Sequence, residues 1–285
     1  MQNNATMVGR TCMITGASSG IGRATALELA RMGADLVLVC RDRGRADATV
    51  AEIRTSTGNS RVEVVIADLS SQQAIRQLAR DYLATDRPLH VLINNAGVVN
   101  LRRTLTVDGI ETVFAVNHLA YFLLTNVLLD RLKESAPARI VNVASEAHRF
   151  GVLNFDDLGG ERSYRTMRIY GQSKLANILF TYELARRLHG TGVTVNSLHP
   201  GAVATGLGKN NGSWAKVVIA MLRPFFRTPE SGAATSIYLA SSPQVDGISG
   251  KYFRNCKETR SSQASYDMAA ASRLWELSTQ MTGLE

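Results

Sequence analysis

The chain has 285 residues, 45% of them hydrophobic, enough for a sizeable core and too apolar for a disordered chain. Its 32 lysines and arginines against 24 acidic residues leave a formal charge of +8. That excess has no dense basic run: Arg41, Arg43 and Arg45, Arg102 and Arg103, and Arg186 and Arg187 are scattered, as on solvated helix faces and around an anionic cofactor rather than a nucleic-acid interface. The three cysteines, Cys12, Cys40 and Cys256, are odd in number and far apart, which argues against a disulfide framework, and no CxxC or His/Cys cluster suggests a metal site.

The opening MQNNATMVGR is polar and lacks an apolar leader stretch. The apolar stretch from Ala120 to Leu132 is broken by Thr125, Asn126, Asp130 and Arg131 and reads as a buried helix, not a membrane span. A cytoplasmic location without a transmembrane anchor is the expectation.

From there, short apolar runs rich in β-branched residues alternate with helical patterns. The first predicted strand, Thr11–Thr15, leads into a helix over Ile21–Met32; Leu36–Cys40 is followed by Arg45–Thr55, and Val62–Ala67 by Ser71–Leu83. Val91–Asn94 precedes a long helical pattern over Val107–Leu132, and Ile140–Ala144 precedes Ile169–Leu188. After Val193–Leu198 the residues 206–228 break the pattern with glycines and asparagines and then run WAKVVIAMLRPFFR, which reads as an apolar flap beside a substrate site. A helix over Glu230–Ala240 and a strand near Lys251–Phe253 follow. Continuous apolar strands separated by helices predict an α/β fold: a doubly wound Rossmann-type sheet of about seven parallel strands with helices on both faces. No linker or repeat divides residues 1–285, so one domain is expected.

The first strand runs into Thr15-Gly16-Ala17-Ser18-Ser19-Gly20-Ile21-Gly22. Glycines allow close backbone approach and a helix N-terminus offers free N–H groups, so Gly16, Ser18, Ser19, Gly20, Ile21 and Gly22 form a candidate pyrophosphate site. The GxxxGxG spacing taken alone is also compatible with a structural turn. In Ala67-Asp68-Leu69, Asp68 either accepts from an adenine or caps the next helix, with Leu69 beside it. The fourth strand ends Asn94-Asn95-Ala96-Gly97: Asn94, Ala96 and Gly97 suit close cofactor approach, and Asn94 equally suits tying neighbouring strands. The second strand ends Cys40-Arg41-Asp42, and an arginine there matches a 2′-phosphate, so NADP(H) is expected over NAD(H), with Arg41 as determinant.

TGASSGIG, NNAG, Asn117, Ser145, the Tyr170-Gly-Gln-Ser-Lys174 run and Pro200-Gly201 occur in the order of the classical short-chain dehydrogenase/reductase family, which the chain resembles over nearly its whole length. The residues carry that chemistry independently. Tyr170 and Lys174, four apart on a helix, share a face, and an ammonium beside a phenol favours the phenolate. Tyr170 then serves as general acid in reduction and general base in oxidation, while Ser145 at a strand end polarises the substrate carbonyl. The resemblance implies that Lys174 also holds the nicotinamide ribose, that Asn117 holds a water, that Pro200 and Gly201 pass near the nicotinamide, and that Thr205 bonds its carboxamide. His199 reads as loop packing, and His118 and His148 have no assigned partner.

The insertion FGVLNFDDLGGERSYRTMR between Ser145 and Tyr170, Asn117-His118-Leu119, Ser173-Lys174-Leu175-Ala176-Asn177 and Gly250-Lys251-Tyr252-Phe253 resemble the retinol dehydrogenase branch. That branch commonly begins with a membrane anchor, which the opening residues do not supply. The branch implies a small lipophilic carbonyl or alcohol substrate; Phe155, Tyr164 and Trp214 are candidate pocket residues or, equally, core and lid packing. A steroid or polyketide ketoreductase and a catalytically idle NADP-binding sensor are the competing readings, and a homodimer or homotetramer stays open.

Overall fold

The computed structural model describes residues 6–201 and 228–284. The flap predicted at 206–228 lies outside the described residues except for Thr228, and so do Thr205 and Trp214.

One sheet organises the chain, in the order β3-β2-β1-β4-β5-β6-β7-β8. Its strands are β1 (Thr11–Thr15), β2 (Asp35–Cys40), β3 (Val62–Ile66), β4 (Val91–Asn94), β5 (Ala138–Val143), β6 (Val193–His199), β7 (Lys251–Arg254) and β8 (Lys257–Glu258). The first seven pair in parallel as expected; β8, two residues long, pairs antiparallel with β7 and corrects the strand count to eight. So short a strand carries no periodicity, which hides it from a sequence reading.

Alternation along the buried strands feeds two cores. Met13, Val37, Val39, Leu92 and Ile140 point to one face, and Cys12, Ile14, Leu36, Leu38, Ile93 and Val141 to the other. The second face is covered by α1 (Gly20–Arg31), α2 (Arg43–Thr57) and α8 (Pro229–Ser241), through residues such as Leu29, Ile53 and Leu239. The first is covered by α3 (Gln72–Leu83), α5 (Ala120–Val127) and α7 (Thr166–Arg187), through Leu78, Phe122 and Phe180. Burying each such side chain contributes about 1.5–3 kcal/mol. Cys12 and Cys40 are buried free thiols, as the sequence implied.

Two helices differ from expectation. The long pattern from Val107 begins later: Leu105 and Glu111 form a β-bridge, and the buried Glu111 carboxylate accepts from Val113 N (2.9 Å) and Phe114 N (2.8 Å) to start α4 (Thr112–Phe114). A π-helical turn over Ala115–Leu119 then leads into α5, and α6 (Leu129–Glu134) follows. The C-terminal α9 (Met268–Thr282) was not anticipated; Asp267 caps it, and Trp275 packs edge-on to Phe122 at 4.9 Å. No helix among the described residues is long and apolar enough to cross a membrane.

A buried polar chain ties the sheet to its helices. Asn94 Nδ2 donates to Asn142 Oδ1 (2.9 Å) and Thr125 Oγ1 (3.0 Å), and Asn142 Nδ2 donates to Thr181 Oγ1 (3.0 Å). An unmade bond at such a site costs the desolvation of the stranded group. Asn142→Ala is expected to destabilise the fold by about 1–3 kcal/mol in urea unfolding, with an unchanged denaturant slope.

Candidate active site

Strand order reverses between β1 and β4, so the chain leaves their carboxyl ends in opposite directions and opens a crevice there. Thr15 closes one wall: its Oγ1 accepts from Asn95 N (2.9 Å) and Ala96 N (3.0 Å), while Asn95 Nδ2 donates to Thr15 O (2.8 Å). Gly16 adopts φ +67°, and a Cβ on Gly22 would lie 2.4 Å from Gly16 O, so the turn closes only with glycine at Gly22. Side chains cap α2, α3, α8 and α9 (Asp42, Ser71, Thr228 and Asp267), but Ser19 makes no side-chain cap on α1. The first N–H groups of α1 thus keep their positive potential for an anion in the crevice.

Along the cleft from this turn lie Cys40, Arg41, Asp42 and Arg45 on one side and Ala67, Asp68 and Leu69 beside them. Asp42 caps α2 by accepting from Arg45 N (2.9 Å), which accounts for an acidic residue next to Arg41. Asp68 is not the cap of α3, a role held by Ser71; its Oδ1 accepts from Ser70 N (3.0 Å) while it lines the cleft.

At the other end Ser145, Tyr170, Lys174, His199, Pro200 and Gly201 converge. Lys174 Nζ donates to Val143 O (3.1 Å) and lies 5.7 Å from the ring centroids of both Tyr170 and Tyr121. Burial lowers the Lys174 ammonium to about 7. Burial also raises the Tyr170 phenol, with a hydrogen bond from Ser145 pulling the other way. The direction for Tyr170 is opposite to that expected from an adjacent ammonium, because desolvation acts against the charged form of both groups.

Asn117 sits in the π turn, fully buried. Its Oδ1 accepts from Val98 N (2.7 Å), and its Nδ2 donates to Val98 O (3.0 Å) and Ser173 Oγ (3.0 Å). It thereby holds the Gly97–Val98 segment against α7; a Cβ on Gly97 would meet Asn117 Oδ1 at 3.3 Å and Lys174 Nζ at 3.6 Å.

Of the remaining predicted residues, Gly16, Ser18, Ser19, Gly20, Ile21, Gly22, Ala96 and Gly97 line the cleft. Asn94 does not; it points into the polar chain between strands. Phe155 packs in a separate core cluster with Phe114 and Leu179, under the Arg273 guanidinium at 4.4 Å. Tyr164 donates to Asn100 O (3.1 Å) and Glu111 Oε1 (3.4 Å), latching the insertion to the loop before α4. The apolar wall beside Tyr170 comes instead from Val116, Leu101, Phe150 and Met167. Sequence reasoning also missed Thr15, Asn95, Tyr121 and Arg45. Asn95 and Arg45 were adjacent to recognised motifs, whereas Tyr121, whose hydroxyl donates to Ala96 O (2.8 Å), carried no local signal.

A family model of short chain dehydrogenases matches residues 10–216. The chain belongs to the short-chain dehydrogenase family. It is therefore a member of an oxidoreductase family, with the Rossmann-type sheet that the family shares. Human retinol dehydrogenase 14 is 47% identical over 303 residues, covering 98% of this chain and 88% of that protein. Mouse retinol dehydrogenase 12 is 46% identical over 283 residues, covering 99% and 89%. Among solved structures, an uncharacterised protein from Mycobacterium paratuberculosis superposes with a TM-score of 0.80 at 35% identity, covering 98% of this chain and 95% of that one. The Pseudomonas aeruginosa RhlG/NADP active-site complex superposes with a TM-score of 0.70 at 27% identity, covering 88% and 97%.

Lys174 gives this dehydrogenase a pH signature. Its folded value, about 7, lies below the ordinary lysine value of 10.5. Below pH 7 both folded and unfolded chains carry the proton and the burial penalty is fully present. As pH rises through 7 only the folded chain releases the proton, so stability increases towards pH 10.5. Urea unfolding of the wild type and Lys174→Met is expected to show wild-type stability rising relative to the variant between pH 7 and 9.

Proposed function

We propose that the protein is an NADP(H)-dependent oxidoreductase that transfers a hydride between nicotinamide and the carbonyl or alcohol carbon of a small lipophilic substrate. The convergence of Ser145, Tyr170 and Lys174 at one end of a cleft whose other end carries Arg41 and Arg45 supports this reading most directly. The cradle fits a dinucleotide: Gly16–Gly22 and the uncapped α1 N-terminus would hold the pyrophosphate, Asp68 and Leu69 the adenine, and Pro200 and Gly201 the nicotinamide. Arg41 and Arg45 offer two guanidinium groups to a 2′-phosphate. Bound nicotinamide supplies or accepts the hydride.

The protein's own residues handle the proton and the developing charge. The Ser145 hydroxyl polarises the carbonyl oxygen. Tyr170 donates its phenolic proton to that oxygen in reduction and removes it in oxidation, and its raised value keeps it protonated and ready to donate. Lys174, held by the Val143 carbonyl at 5.7 Å from the Tyr170 ring centroid, would hold the nicotinamide ribose. Leu101, Val116, Phe150 and Met167 give an apolar wall for the substrate, consistent with the names of the retinol dehydrogenase relatives.

NADPH oxidation against apolar aldehydes, retinal, steroids and quinones, with NADH in parallel, tests the reading, and absence of turnover across the panel would refute it. Tyr170→Phe is expected to lower kcat by about 10²–10⁴-fold while fluorescence titration finds NADPH binding retained. Arg41→Ala is expected to raise the KM for NADPH at least about 10-fold, corresponding to one charge-assisted bond pair, and to leave the KM for NADH within about 2-fold; equal effects would remove Arg41 as the determinant.

A further inference from the structure

The peptide unit joining Ser145 to Glu146 is gripped at both ends by imidazoles. Its carbonyl oxygen lies 2.6 Å from His148 Nδ1 and also accepts from His148 N (3.1 Å), while its N–H donates to His199 Nδ1 (3.2 Å). The other nitrogen of His148, Nε2, accepts from Ser262 N (3.0 Å). A backbone N–H can only donate, so Nε2 is unprotonated. Nδ1 therefore carries the proton and donates it to Ser145 O. His148 is fully buried and lies tilted against Tyr252 with ring centroids 5.0 Å apart.

This imidazole connects two parts of the chain that are remote in sequence. Ser262 lies in the segment after β8, where Ser261 Oγ meets Tyr182 Oη on α7 at 2.7 Å. The turn Glu146–Phe150 also touches α7 directly, since a Cβ on Gly171 would meet Ala147 O at 2.8 Å. Ser145 thus has its peptide plane set by a bond that runs through His148 to the C-terminal segment, and Tyr170 precedes the glycine against which the turn rests.

Resting on the functional reading above, we propose that His148 is a positioning residue for Ser145: as a neutral imidazole whose Nδ1–H tautomer is set by Ser262 N, it fixes the Ser145 peptide plane and so aims the Ser145 hydroxyl at Tyr170 and the substrate oxygen. The histidine does not reach the cleft and touches no reacting atom.

Two amide substitutions separate its halves. In His148→Asn the short amide reproduces Nδ1–H and keeps the bond to Ser145 O, losing Ser262. In His148→Gln the longer amide reproduces the Nε2 acceptor, keeping Ser262 and losing Ser145 O. The proposal expects His148→Gln to lower kcat about 10–100-fold, the effect of misaiming a reacting group, with Tm and NADPH affinity near wild type. His148→Asn is expected to keep kcat within about 3-fold while lowering Tm. A kcat that simply follows Tm through both variants, or an unchanged kcat in His148→Gln, would overturn it.

Two readouts stand apart from turnover. Imidazole ¹⁵N shifts of the wild type are expected to report a neutral Nδ1–H tautomer for His148, and an Nε2–H tautomer would overturn the proposal. The Tyr170 ¹³Cζ resonance is expected to move in His148→Gln and stay in place in His148→Asn; no movement in His148→Gln would overturn it equally. A wild-type protein without turnover on any substrate would instead count against the functional reading, while the tautomer and the Tyr170 resonance would still decide on His148.

Discussion

How closely α7 approaches the turn after β5 governs the chemical end of this protein. Gly151 and Gly171 face each other there: a Cβ on Gly151 would lie 2.3 Å from Gly171 O, and one on Gly171 would lie 2.8 Å from Ala147 O. Backbone thus packs on backbone, with the Phe150 ring against Gly171 as well. Tyr170 is one residue and Ser145 two residues from this contact, so the spacing of phenol and hydroxyl is tied to it. Interiors pack at crystal density and do not deform continuously, which makes the glycine pair a fixed spacer for the two groups.

The same economy of space appears at the opposite end of the cleft. Gly22 lies so close to Gly16 O that a methyl group could not intervene, and Asn95 braces the turn from β4. The two ends are connected by buried polar groups rather than by apolar packing alone. Asn117 holds Val98, which follows the β4 motif, against Ser173 on α7. Tyr121 reaches Ala96 O, two residues before Val98. A polar group buried in this way costs stability unless every partner is in place, so such chains also specify one arrangement of strands and helices.

Electrostatics in and around the cleft follow from burial more than from pairing. Lys174 has a carbonyl and two aromatic rings as neighbours, and desolvation lowers it to about 7. Glu111, buried under Tyr164, moves the opposite way, its carboxyl raised by burial against the helix N–H groups it accepts from. His148 is lowered by burial, against the opposing pull of its bond to Ser145 O, and its Nε2 accepts from Ser262 N. Each of these groups sits where the folded chain excludes water, and Glu111 and His148 also hold a helix start and a turn in place.

Local pattern alone gave the parallel sheet and the glycine turn, because strand periodicity and glycine spacing are local properties of the chain; Ser145, Tyr170 and Lys174 were singled out by family order, with the i, i+4 pair in support. Family order then gave meaning to Asn117 and to Pro200-Gly201. Other positions depended on where the chain folds back on itself. Phe155 and Tyr164 are aromatic residues in the right insertion, yet they face a core cluster and Glu111, because the middle of the insertion lies over α4 and only its ends, Phe150 and Met167, reach the cleft. Asn94 and Asn95 are adjacent and chemically identical, and strand alternation sends one between β4 and β5 and the other towards the glycine turn. His148 had no partner within reach in the sequence; its partner, Ser262, is brought to it by the chain that follows β8. The residue types and their local spacing were determined by the sequence, and which way each side chain faces was decided by long-range packing, since burial and hydrogen-bond partners belong to the assembled fold.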